Sequence, residues 1–421
     1  MTAWGFSLAQ KPSPEVIFVS FSTSTESSSG SKAFLQLGNK RVKSLHYGAH
    51  GNLGHAVHLQ MSLKPGSAII SNSGISLYHP VIPWGERYAV MHPFSKTKIA
   101  VLSELMGAGD LTVSGGALCL SLGLTRQAVW KAVNALREDG YVIESIPHKG
   151  YRFVSLPKND LDPSLIEAFL LDCPWGHPVL YWESLNSTQV PAKELARKGA
   201  PEGLIVTTSY QTSGRGRLGR RWVSAPEGGI FFSLVIRPAL PPESIQLLSL
   251  VSAMSVQDAL FTLHGVRCQL KWPNDILWEN SKLCGILTEV SSEPGLVHFA
   301  VTGIGINANS NNVSIDEGSE TVSLSSITGK KIHRGELIAG VVRYLHGAVR
   351  GLEAPGGMKR ALDEYSSRCD TLGRKVRVVS DEGEVIGEAV ALGEKGEIIV
   401  RTKDGTQTFT SADVNHLRAL G

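Results

Sequence analysis

This 421-residue chain has little net charge: 41 lysines and arginines face 38 aspartates and glutamates, a formal balance of +3. That argues against a globally basic nucleic-acid binder, so any contact with DNA has to come from a local surface. Cysteine is scarce as well. There are five, an odd count without paired or metal-like spacing. They argue against a disulfide framework or a metal module, and read as small buried hydrophobes in a reducing compartment. No apolar run approaches the roughly 20 residues that span a bilayer, and the N-terminus lacks a basic segment followed by an apolar stretch. A soluble, cytoplasmic protein without a membrane partner is expected.

At this length two to four domains are expected. Residues 1–90 stand apart: residues 22–31 are nearly all Ser, Thr and Gly, and no sustained period follows. Met91 opens the first clean pattern, so residues 1–90 read as a disordered extension or an over-called start.

Ile99, Leu102 and Met106 suit a first helix over residues 96–106, a turn around Gly107-Ala108-Gly109-Asp110 follows, and a short helix is expected over 114–122. Thr125 suits the N-cap of a helix reaching Asp139. Val129, Val133 and Leu136 form its buried stripe, leaving Arg126, Gln127, Trp130, Lys131 and Asn134 on other faces. Residues 142–145 and 150–154 then read as a two-stranded wing with Pro147, His148 and Lys149 at its tip. Residues 91–156 thus form a winged helix-turn-helix, whose second helix of the pair enters the major groove while the wing reaches the phosphates. Arg126, Gln127, Lys131, Asn134 and Lys149 are its candidate DNA contacts.

Residues 157–174 connect to the next domain, with Leu165, Phe169 and Leu170 on one helical face. Residues 172–370 mix strands and helices without regular βαβ spacing, which argues for an α+β domain. Strands are expected over 179–182, 203–208, 229–236 and 297–306. Amphipathic helices are expected over 336–352 and over 245–263, the latter with Leu248, Val251, Ser255 and Ala259 as its stripe. From residue 371 to the end, short alternating strands separated by Asp381-Glu382-Gly383, Gly393-Glu394-Lys395-Gly396 and Asp404-Gly405 argue for a small β barrel.

The richest stretch chemically is Gly214-Arg215-Gly216-Arg217-Leu218-Gly219-Arg220-Arg221-Trp222, between two expected strands. Interleaved glycines let the backbone fold closely around phosphates while guanidinium forks supply charge and paired donors. A P-loop or Rossmann turn would open a helix instead, so kinase and dehydrogenase readings lose weight. Lys271-Trp272-Pro273-Asn274-Asp275, Lys282-Leu283-Cys284-Gly285-Ile286-Leu287-Thr288-Glu289 and Gly303-Ile304-Gly305-Ile306-Asn307 follow in order.

These motifs together resemble the biotin protein ligase family, and with the winged helix they resemble its bifunctional bacterial form, which is also a biotin operon repressor. The resemblance implies an α+β multidomain chain: an N-terminal winged helix-turn-helix, a central α+β biotin/lipoyl-ligase-type catalytic domain and a C-terminal SH3-like β barrel. It implies ATP and biotin as substrates, with Mg²⁺. Biotin would be activated as biotinyl-5′-AMP and transferred to a lysine of the biotin carboxyl carrier protein of acetyl-CoA carboxylase. Operator DNA would be a second partner, bound by a homodimer that forms when the adenylate is present.

Residue by residue, the resemblance places Ser187 and Thr188 as the pair whose hydroxyls meet biotin, with Gln211 upstream of the loop. Gln189 stands where the family has Asn, an amide one methylene longer. Arg215, Gly216 and Arg217 match the segment that covers biotin and adenylate, and Lys282 matches the lysine near the biotin carboxylate and α-phosphate. Lys271 matches the other catalytic-loop lysine, and Asp275 is a candidate to orient or deprotonate the attacking amine. Arg217, Lys271, Asp275 and Lys282 are thus the catalytic candidates, with Arg215, Arg220, Arg221, Trp222, Asn274 and Asn307 around the nucleotide and no protein metal site.

Two other readings stay open: a regulator whose ligase-like domain only senses a ligand, and a lipoate or octanoate ligase on the same fold. Intact Arg215, Arg217, Lys271 and Lys282 argue against the first, and the Lys-Trp-Pro-Asn-Asp and Gly-Arg motifs against the second. Three glycines within residues 214–219 also predict a loop that is mobile until ligand orders it.

Overall fold

The computed structural model describes residues 95–223, 228–310, 320–380, 383–410 and 412–416, together with six short strands near the N-terminus. The chain divides into two units, Met1–Glu86 and Arg87–Gly421. In the first, Lys32–Ala33 pairs with Leu45–His46, Gln36–Leu37 with Lys40–Arg41, and Leu59–Met61 with Ala68–Ile70. Apart from these strands, the expectation for residues 1–90 lies outside the described residues.

The second unit opens with α1 (Lys96–Gly107), α2 (Gly115–Leu122) and α3 (Arg126–Glu138). Each begins on a hydroxyl cap: Ser95 accepts from Lys98 N, Ser114 from Ala117 N and Thr125 from Ala128 N. These bonds satisfy amides that have no partner inside the helix. Leu102, Leu105, Leu118, Val129, Val133 and Leu136 close the core. The wing is Val142–Ile146 paired with Gly150–Ser155, and a third strand, Thr112–Val113, adds to its far edge. Sequence reading passed over that strand. Gly150 permits the pairing: at φ +133° it lies where a Cβ would stand 2.1 Å from Val113 O.

The connection is α4 (Pro163–Phe169), capped by Asp162, and it is buried on more than the one expected face. Leu165 and Ala168 pack into the winged-helix core while Ile166 and Leu170 pack into the next one, so the two cores share this helix. Tyr141 OH donates to Asp162 Oδ1 at 2.7 Å across the junction.

The central domain is a seven-stranded sheet in the order Val179–Leu185, Ile205–Gln211, Gly229–Ile236, Leu296–Asn307, Ser281–Glu293, Asp275–Trp278, Gln269–Lys271. Only the first pair is parallel, and α5 (Gln189–Arg197) lies in its crossover. Side chains alternate along Leu296–Asn307, so Ile304 and Ile306 join the core that includes α6 (Leu247–His264), while Gly303 and Gly305 point to the opposite face.

The helix expected to be amphipathic, α6, is buried nearly all round. It packs against the sheet, α8 (Arg334–Glu353), α9 (Gly357–Arg368) and the turn at Gly396, where Leu250 and Leu247 crowd the glycine. Its buried Ser252 and Ser255 hydroxyls donate back to Leu248 O and Val251 O. Contrary to the sequence reading, Pro242–His264 is long and apolar enough to cross a membrane by length and composition. Here that segment is mostly interior. Among the remaining elements, α7 (Leu324–Thr328) is a single short helix before α8.

The C-terminal domain is a five-stranded antiparallel sheet ordered Gly405–Phe409, Ile398–Thr402, Gly383–Leu392, Lys375–Ser380, Asp413–His416. A register shift between Ala389 and Ala391 bends its long strand.

Candidate active site

One face of the central sheet carries a floor of glycines. A Cβ at Gly305 would stand 2.8 Å from the Trp222 ring, one at Gly285 2.6 Å from the same ring, and one at Gly303 2.8 Å from the Gln189 amide nitrogen. Any side chain at these three positions would displace what lies above it. Gln189 Oε1, Asn307 Oδ1 and Trp222 Nε1 are buried around this floor with no hydrogen-bond partner among the described residues. Such groups cost about 1–3 kcal/mol each unless a ligand satisfies them.

The Gly-Arg segment stands beside the floor. Its backbone forms a closed hairpin in which Gly214–Arg215 pairs with Arg221–Trp222 around a 3₁₀ turn at Arg217–Gly219. Its glycines serve close approach: a Cβ at Gly214 would meet Trp222 O at 2.5 Å, and Gly219 has φ +74°. Arg215, Arg220 and Arg221 are exposed and Gly216 is half-buried. Arg217 turns inward, with one terminal nitrogen 3.4 Å from Asn274 Oδ1.

Asn274 is held on its other side by donating Nδ2 to Ile286 O at 2.7 Å. Its neighbour Asp275 places Oδ1 2.7 Å from Lys282 Nζ, and that ammonium lies 5.7 Å from the Trp222 ring centroid, within cation–π range. Asn307 Nδ2 donates to Lys282 O at 3.1 Å, which fixes the strand bearing the lysine. The same strand is held by Glu320 O and Val322 N, where the loop that follows Leu296–Asn307 returns. Residues 311–319 of that loop lie outside the described ones.

At the start of α5, Thr188 N donates to Gln211 Oε1 at 2.9 Å and Thr188 Oγ1 shares a hydrogen bond with Ser233 Oγ at 2.8 Å. Ser187 Oγ accepts from Gln189 N. Gln189 uses its extra length to reach the sheet, donating Nε2 to Leu287 O at 2.7 Å. Ser233 was not legible as a site residue, since a lone serine in an apolar strand carries no motif.

Both lysines flank Asp275. Lys282 pairs with its carboxylate, and Lys271 stands opposite it on the neighbouring strand, near His416 at the end of the C-terminal sheet. Burial, with Lys271 and Arg374 nearby, pushes the His416 imidazole down to about 4. Trp272 is fully buried and rooted in the C-terminal domain: its N–H donates to Thr371 Oγ1 at 3.0 Å and its indole to Gly396 O at 2.9 Å. The turn that carries Asn274 and Asp275 is thus rooted in that interface, and the sequence carried no signal that Thr371 would support it.

The DNA candidates form a separate surface. Arg126, Gln127, Lys131 and Lys149 are exposed, and Asn134 is half-buried with its oxygen 3.4 Å from Arg137 NH1.

Residues 97–152 match a helix-turn-helix domain profile, residues 181–307 the Biotin/lipoate A/B protein ligase family, and residues 371–417 the Biotin protein ligase C terminal domain. The bifunctional ligase/repressor BirA of Bacillus subtilis is 34% identical over 311 residues, which cover 73% of this chain and 94% of that one. This chain belongs to the bifunctional biotin ligase/repressor family. The Escherichia coli member is 29% identical over 313 residues, covering 72% of this chain and 92% of that one. A biotin protein ligase from Aquifex aeolicus, solved in complex with biotin and ATP, is 28% identical, with a TM-score of 0.49 over 57% of this chain and 99% of that one. Family membership accounts for the order of the three domains along the chain, with the DNA-binding module first and the small sheet last.

Proposed function

We propose that the chain activates biotin with ATP as biotinyl-5′-AMP, transfers it to a lysine of a biotin carboxyl carrier protein such as that of acetyl-CoA carboxylase, and represses transcription as a biotin-responsive homodimer on operator DNA. The observation that carries the ligase reading is the Asp275–Lys282 ion pair, set beside Trp222 and the glycine floor. A free carboxylate is a poor electrophile. Its oxygen attacks the α-phosphorus of ATP, an O–P bond forms and pyrophosphate leaves. Negative charge grows on phosphate oxygens in that step, where fixed cations contribute most. Lys282 and the inward Arg217 are the cations that border the floor, with Arg215, Arg220 and Arg221 available from the hairpin. Ser187, Thr188, Gln189 and Gln211 would hold biotin at the start of α5, and Asn274 and Asn307 would border the nucleotide.

An anion that reaches Lys282 competes with Asp275 for the ammonium. The carboxylate so released would orient the carrier amine and take its proton as nitrogen attacks the acyl carbon and AMP leaves. Among the described residues no group of three or more His, Cys, Asp or Glu side chains is arranged to hold a metal. Mg²⁺ accompanying ATP would therefore be held chiefly by phosphate oxygens, and no step here is routed through it.

The test incubates the full chain with ATP, Mg²⁺ and an apo-carrier domain, offering biotin or lipoate in parallel. Biotin attachment that requires ATP is expected. Lipoate attachment would replace the reading with a lipoate ligase, and ATP-independent biotin binding without attachment would leave only a sensor. A gel shift with and without biotin plus ATP tests the repressor half, with tighter operator binding expected when both are present.

A further inference from the structure

Among the described residues Trp130 is the only tryptophan left largely in solvent, at 55% exposure. Exposing so large an apolar ring forgoes the stabilisation that burial gives. Its place on α3 is not adjustable. Val129, Val133 and Leu136 bury one face, and the 3.6-residue period sets Trp130 on its flank, in the exposed surface it shares with Arg126, Gln127 and Lys131. Arg137 then locks the helix against the wing, donating Nε and NH2 to Ile143 O at 2.8 and 2.7 Å and NH2 to Ser145 Oγ at 2.8 Å. A buried Lys98–Asp139 pair at 2.6 Å holds its C-terminal end.

We propose that Trp130 is a base-reading residue whose indole lies against a thymine in the major groove. The inference rests on the repressor reading above and deepens it. An indole offers apolar surface and one donor, Nε1–H, with no acceptor. The thymine edge offers a methyl group beside a single acceptor, O4, whereas adenine and cytosine present donors and guanine two acceptors without a methyl. Arg126 and Lys131 on either side supply the attraction to phosphates that marks duplex DNA, rather than a second protein chain, as the occupant.

The full chain with biotin and ATP is used to select from a pool of random duplexes. The enriched duplex is then remade with deoxyuridine at each thymine in turn, which deletes only the methyl. At one thymine or more the replacement is expected to weaken wild-type binding about fourfold, the value of one buried methyl. The same replacement should leave Trp130→Ala unaffected, and that variant should bind the unmodified duplex more weakly than wild type. Trp130→Phe, which keeps a ring, retains the methyl sensitivity. Unchanged biotin transfer, together with an unchanged circular-dichroism spectrum and thermal melt, confirms that both domains of the two variants fold. Equal binding of the enriched duplex by wild type and Trp130→Ala, or equal loss with deoxyuridine in both, overturns the inference and leaves the repressor reading standing. If the wild-type chain enriches no sequence, the repressor reading fails and the inference falls with it.

Discussion

Lys282 Nζ lies 2.7 Å from Asp275 Oδ1, so the cation expected to meet phosphate is already neutralised by the carboxylate expected to meet the carrier amine. In the proposed reaction the pair would order the two half-reactions: ligand charge on Lys282 would free Asp275, and only then would Asp275 have a proton to take. Asp275→Asn should therefore separate the steps. Adenylate formation is expected to persist, because Lys282 keeps its charge, while transfer to the carrier falls by about 10²–10⁴-fold, the usual value of a general base. Rapid-quench measurement of adenylate and of labelled carrier checks this. An equal fall in both steps would assign Asp275 to building the site alone.

Gly305 is the sharpest steric test of the floor. A methyl there would sit 2.8 Å from two Trp222 ring carbons, and the ring has Gly285 at similar distance beneath it. Overpacking of this kind costs about 1–3 kcal/mol. Gly305→Ala is expected to push Trp222 out and weaken biotin binding about tenfold or more, while the melting temperature falls by only the few degrees that this overpacking cost allows. Isothermal titration with biotin and a thermal melt distinguish the two quantities, and unaltered affinity would remove Trp222 from the site.

How much of this was legible depends on which signal each element left. Thr125, Val129, Val133 and Leu136 wrote α3 into the sequence through a cap and a period, and Gly229–Ile236 was bounded as a strand by its apolar run. Thr112–Val113 was not, because two residues carry no period. For α6 the period showed one apolar stripe but could not show that α8, α9 and the Gly396 turn cover the rest. The motifs brought Arg217, Asn274, Asp275, Lys282 and Trp222 to one place, as their order suggested. Spacing did not reveal that Lys271 lies opposite Asp275 and near His416 as well, since that depends on the register of Gln269–Lys271 against its neighbour.

Glu167 on α4 gives a prediction in pH. Burial raises its carboxyl from 4.5 to about 7, against the opposing pull of the Val179 N–H at 2.8 Å and the Lys98 charge. The folded state holds this proton more tightly than the unfolded one, so the contribution to stability is full below about 4.5 and is lost as pH rises through 7. Glu167→Gln keeps an acceptor for Val179 without a charge to bury. It is expected to stabilise the protein at pH 8 by a few kcal/mol, at most on the order of 3, and to change little at pH 5. Melts at the two pH values decide, and an equal shift at both would rule out the carboxyl's titration as the cause.

The division between the two lysines is also testable. Lys271 helps to hold the His416 imidazole down to about 4, and Thr371 Oγ1, 3.0 Å from His416 Nε2, accepts from the Trp272 N–H. Removing the Lys271 charge takes away one of the groups that disfavour imidazolium, so Lys271→Ala should move the His416 pKa upward toward 6.5, though not all the way, because burial is the larger cause. Proton NMR of the His416 ring through a pH titration reads that shift. The same variant should lose much less adenylation than Lys282→Ala, because it leaves the Asp275–Lys282 pair beside Trp222 in place. If Lys271→Ala abolishes adenylation as completely as Lys282→Ala while His416 does not move, then Lys271 acts on the substrates directly from its place opposite Asp275.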